Sequence, residues 1–199
     1  MADDINGLGL EIPVEARDEL VKKLEGTNRR ARQDASHKLA WMARQNRELI
    51  VDIAPSLVDA LSLPEAQTRW ECLDALSEIA EIDPEAVLDA FAGAEESLFD
   101  DGSASVRLAA FRFLTRYGAI APECSAEAWP LISEAVQCYH GDPEYREMLV
   151  CLKAFAQGDI DESVRESLIS RMSFDAENGR GFIRAYSTEI CSIAEGKAV

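Results

Sequence analysis

Thr68-Arg69-Trp70-Glu71-Cys72-Leu73-Asp74-Ala75-Leu76-Ser77-Glu78-Ile79-Ala80 is the stretch whose pattern returns along almost the whole chain. Its small and apolar residues Cys72, Leu76, Ile79 and Ala80 follow the spacing i, i+4, i+7, i+8, which is one face of a helix. The same slots hold Ala35, Leu39, Met42 and Ala43 upstream. Downstream they hold Ala110, Leu114, Tyr117 and Gly118, then Met148, Leu152, Phe155 and Ala156, and last Tyr186, Ile190, Ile193 and Ala194. From Leu39 to Leu76 is 37 residues, and the steps on to Leu114, Leu152 and Ile190 are 38 each. A register kept through five copies is an internal repeat, and a period of roughly 20–50 residues means stacked units that bury their apolar faces on one another.

Another helix precedes each copy. Glu48–Ser62 carries Ile53, Leu57 and Leu61 on one stripe, and Asp83–Phe99, Ala126–Cys138 and Glu162–Met172 take the same place later, as Val14–Glu25 does first. The chain therefore reads as about ten helices in five hairpins, pairing over 13–43, 46–80, 84–118, 125–156 and 162–194. Polar joins such as Asp100-Asp101-Gly102-Ser103 and Gly141-Asp142-Pro143 supply turn and N-cap residues between antiparallel helices. No alternating run bounded by turns suggests a strand. Residues 1–12 read as a flexible polar lead-in, 13–195 as one repeat domain and 196–199 as a tail.

This pattern resembles HEAT repeats. The likeness rests on an arginine near the start of the second helix, in Ala31-Arg32, Thr68-Arg69 and Ser105-Val106-Arg107, followed by the small–apolar ladder. It rests also on Pro55 and Pro130 inside first helices, two repeats apart, where a missing N–H bends the helix. Gly93 lies near the equivalent place between them. Arg146 comes one residue late, and Gly181-Phe182-Ile183 replaces the usual opening. The resemblance implies an all-α, right-handed α-solenoid (an α-α superhelix) of about five HEAT-like hairpins. Such a fold hosts many functions, which must be argued from the site.

With 37 acidic against 20 basic residues the formal net charge is −17, which works against nucleic acid and anionic membranes. The first residues show neither a basic n-region nor an apolar h-region, and no apolar run is long enough to span a bilayer. The five cysteines include no C-x-x-C pair and read as reduced core thiols of a cytoplasmic protein. Cys138-Tyr139-His140 matches no zinc spacing, so no metal and no cofactor is expected.

In solenoids of this kind the second helices line the concave side. The slots two before, two after and six after the first small residue point off the packed stripe. They hold Trp41, Trp70, Asp74, Arg112, Arg116, Arg146, Val150, Ala154 and Arg184 among others. One expectation is a concave basic stripe of Arg112, Arg116, Arg146 and Arg184, with Lys153 beside it and Trp41 and Trp70 as apolar anchors. That arrangement would make the protein a non-catalytic scaffold for an acidic or extended protein partner. The alternative is that the tryptophans pack between repeats and the arginines form ion pairs there; Trp129, beside Pro130, is expected in packing. A second class comes from Trp70, Asp74 and Arg112, which resemble the cluster of the HEAT-like alkylpurine DNA glycosylases. That resemblance implies stacking by Trp70, charge stabilisation or water positioning by Asp74, and phosphate binding by Arg112. Val150 stands where a further aromatic would be expected.

Overall fold

A computed structural model describes residues 14–196; the expected lead-in over 1–12 and the end of the tail lie outside the described residues. The described chain is all helical. Helix α1 is Val14–Leu24 and α2 is Arg29–Gln45; a 3-10 stretch, Arg47–Ile53, leads into α3, Ala54–Asp59, and a second, Ala60–Ser62, ends it. Then come α4 (Ala66–Ala80), a 3-10 stretch (Glu85–Ala90), α5 (Phe91–Leu98) and α6 (Ala104–Gly118). Helices α7 (Pro122–Cys138), α8 (Tyr145–Ala156), α9 (Glu162–Asn178) and α10 (Gly181–Ala194) complete the array. Successive second helices stack, α2 on α4, α4 on α6, α6 on α8 and α8 on α10, with the first helices layered behind them.

The slots read from the sequence are the core. All four are buried in each of the first four copies, while in the fifth only Ile190 and Ala194 are. Tyr186 and Ile193 stay half-buried, because no described repeat covers the far side of α10. Gly118 allows close packing here, since a Cβ would stand 2.8 Å from the Phe155 ring and 3.2 Å from Ala128 Cβ.

The first helices depart from expectation. Glu48–Ser62 and Asp83–Phe99 are not single bent helices; each is split into 3-10 and α segments. In the former the break falls at Ile53–Ala54, and Pro55 sits in the first turn of α3, where its missing N–H forfeits only a donor that would be free anyway. Pro130, by contrast, sits inside an unbroken α7. That helix starts at Pro122 rather than near Ala126, since proline at the first helical position forfeits only a donor that would be free anyway.

The recurrent arginine is a structural fastener. Arg32 reaches Glu65, Arg69 reaches Asp100 at 2.8 Å, and Arg107 reaches Glu144, each linking one repeat to the next. Arg32 also donates to the Gly26 carbonyl and Arg107 to the Asp100 carbonyl, at 2.9 and 2.8 Å. Glu65 and Glu144 stand at the N-cap positions of α4 and α8 yet make no capping bond, because their carboxylates turn to the arginines. The hydrogen bond from Arg32 holds the Glu65 carboxyl below its ordinary range. Burial pushes Asp100 up, but the bond and charge of Arg69 together with the backbone N–H groups of Gly102 and Ser103 outweigh it, and the net shift is downward.

Both shifts are depressions. Their contribution is complete above the ordinary carboxylate range at about pH 4 and is lost as pH falls through the lowered values. Thermal melts below that range should show falling stability. Arg107→Met, which strands the buried Glu144, should cost about 3–5 kcal/mol, and adding Glu144→Leu should recover most of it. Additive single and double variants would show the pair to be uncoupled.

Candidate functional site: the crease between α6 and α8

The exposed side of the second helices carries a second set of charge pairs. Arg112 Nη1 donates to Asp74 Oδ1 at 2.5 Å, and Arg44 lies 3.7 Å from the other oxygen of the same carboxylate. Arg116 binds Glu78 at 2.6 Å and Glu81 at 2.5 Å, and Arg47, at the start of the 3-10 stretch before α3, binds the same two at 3.0 and 2.6 Å. His37 and Glu71 meet at 2.9 Å. Burial pushes the Asp74 carboxyl above its ordinary value, with Arg112 and Arg44 pulling against it.

Arg112 and Arg116 are not a free basic stripe: each is consumed by carboxylates of the repeat before it, as the ion-pair alternative expects. Arg146 on α8 and Arg184 on α10 are exposed and form no ion pair among the described residues. Trp41 is exposed on α2, whereas Trp70 on α4 is half-buried against the core. Trp129 is packing, as expected; it is buried, stacks on Phe155 and donates to Ser167 Oγ at 2.9 Å. Trp70, Asp74 and Arg112 occupy neighbouring helices, but a glycosylase would need a carboxylate open to the sugar and an arginine free for phosphate. Here those two groups neutralise each other.

Where the charge pairs end, a crease opens. It has a volume of about 490 Å³ and lies between α6 and α8. Ile120, Val150, Ala154 and Phe155 give it an apolar lining, and Arg112, Arg116 and Glu81 stand along it. Val150 is 41% exposed, large for an apolar side chain on a helix otherwise packed on both sides. Cys151 also lines the crease; burial raises its thiol although Arg112 opposes the shift, so it is not an activated nucleophile. Arg44, Glu81 and Ala119 were missed in the sequence. They share one slot, a helical turn beyond Trp41, Glu78 and Arg116, and this i+3 continuation was the available signal.

Neither the known protein families nor curated protein sequences give a match to this chain. Solved structures do. A designed armadillo repeat protein in complex with the peptide (KR)4 superposes with a TM-score of 0.74 at 16% identity, covering 90% of this chain and 82% of that one. Computationally designed armadillo repeat proteins for modular peptide recognition give 0.69 at 17%, covering 90% and 82%. A further engineered protein gives 0.67 at 18%, covering 93% and 85%. The chain is an all-α solenoid with the fold of these helical repeat proteins.

If Arg112 serves Asp74, the two must be energetically coupled. Double-mutant cycles of Asp74→Ala and Arg112→Ala should show non-additivity of about 0.5–3 kcal/mol in chemical denaturation. Strict additivity would return Arg112 to the pool of free binding residues.

Proposed function

We propose that the protein is a non-catalytic, HEAT-like interaction scaffold of the cytoplasm that takes an extended peptide along its second-helix, concave face. The observation that carries this reading is the crease between α6 and α8. It is the place on that face where apolar surface replaces satisfied charge pairs, and its size suits one large apolar side chain of a peptide. Five free thiols, two of them buried, fit a reducing compartment.

The peptide is basic rather than acidic. An acidic partner would rely on Arg112 and Arg116, which are already matched by Asp74, Glu78 and Glu81. From Glu48 to Tyr145 the only lysines or arginines are Arg69, Arg107, Arg112 and Arg116, and all four are paired, so the middle of the array projects a negative field. A net charge of −17 steers cationic segments toward the protein. The similarity to a designed armadillo protein bound to (KR)4 supports the same sign.

Charge reversal at Arg112 and Arg116 would set like charges against three carboxylates and so disturb the fold. Val150→Gln leaves the pairs intact and adds no charge. Anisotropy titration with a fluorescent peptide of alternating Lys and Arg around one Trp should show saturable binding. The variant should weaken it by about tenfold or more at unchanged helicity. Equal affinity for both proteins would remove the crease from the binding surface.

A further inference from the structure

On the opposite layer, between α7 and α9, lies a pocket of about 280 Å³. Its floor is Tyr145, which occupies the slot held by Arg32, Arg69 and Arg107 in the earlier repeats. Tyr145 is fully buried, yet its hydroxyl has no hydrogen-bond partner among the described residues. Burial raises this phenol, Asp175 adds to the shift and Arg171 opposes it, and both of those charges line the pocket.

Arg171 is held by neutral acceptors. Its Nε and Nη2 donate to Ser133 Oγ at 3.2 and 3.0 Å and its Nη1 donates to Gln137 Oε1 at 3.2 Å. It forms no ion pair among the described residues, so it is a full positive charge, fixed in direction, with two of its five N–H groups uncommitted. Asp175, the carboxylate of the pocket, is engaged by His140 at 2.9 Å. Val136 supplies apolar wall, and Phe174, also lining the pocket, is 71% exposed. An orphaned buried hydroxyl beside an unneutralised, pre-oriented guanidinium and an open aromatic ring is the donor set for one kind of ligand.

We propose that this pocket binds a carboxylate carried on a small apolar body, the carboxylate on Arg171 and the Tyr145 hydroxyl and the body on Phe174 and Val136. The carboxylate can come from a free organic acid or from the C-terminal residue of a peptide. Calorimetric titration of the full chain with phenylacetate and with N-acetylphenylalanine, each against its neutral amide, separates the two. At least one acid should saturate and bind about tenfold or more tighter than its amide. Phenylacetate as the tighter acid indicates a free acid, and N-acetylphenylalanine a peptide terminus. Tyr145→Phe should weaken that binding several-fold without lowering the melting temperature, because its hydroxyl has no partner to lose. Arg171→Gln should abolish the preference for acid over amide. Equal binding of acid and amide, no saturation by either acid, or unchanged affinity in Tyr145→Phe would overturn the proposal.

Discussion

The half-buried arginine that reaches from each repeat to a carboxylate of the next makes the interaction on which the array depends. A helical hairpin of this size buries one face only, so its stability comes from neighbours. Arg32, Arg69 and Arg107 fix the register of that stacking, because each guanidinium must meet one carboxylate at the next junction. The requirement is strong enough that Glu65 and Glu144 give up helix capping to meet it. Breaking one pair leaves a charge in the low-dielectric seam between repeats, a larger penalty than losing a surface ion pair.

The same chemistry recurs, more exposed, on the second-helix face, where four arginines and the carboxylates of Asp74, Glu78 and Glu81 cross-link the first three repeats. Both arginine ladders stop at the fourth repeat, where a lysine pair, Lys153 with Glu189 at 2.6 Å, joins α8 to α10. Tyr145 takes the slot of the inter-repeat arginine, and Val150 and Ala154 take the face slots that hold Asp74 and Glu78 two repeats earlier. The two proposed binding places, the crease beside α8 and the pocket over Tyr145, lie on either side of that repeat. The proposed binding places thus fall where the stabilising pattern is interrupted, as expected when a local rule is broken without local compensation.

Much of this was legible in the sequence. The slots headed by Ala35, Cys72, Ala110 and Met148 are buried to the last residue, since helical periodicity repeated at 37–38 residues admits few other arrangements. The first helices were less legible: Pro55 signals a bend, but whether a chain bends within α-helix or breaks into 3-10 turns depends on packing against neighbours. The site was least legible. Arg112 and Arg116 look free in sequence because their partners lie 35–38 residues away, and the spacing that reveals the repeat hides which charges face each other across it. The departure at Arg146 was visible, and the structure shows its meaning: Tyr145 stands in the arginine's place and leaves its hydroxyl unpartnered.

The proposed partner meets the second-helix layer of the solenoid and not the first-helix layer. Amide hydrogen exchange read by mass spectrometry, with and without a saturating Lys/Arg peptide carrying one Trp, tests this directly. Protection should concentrate in α6 and α8 along the crease, with α7 and α9 unchanged. Protection confined to α7 and α9, or none at saturation, would contradict the assignment of the second-helix face as the binding surface.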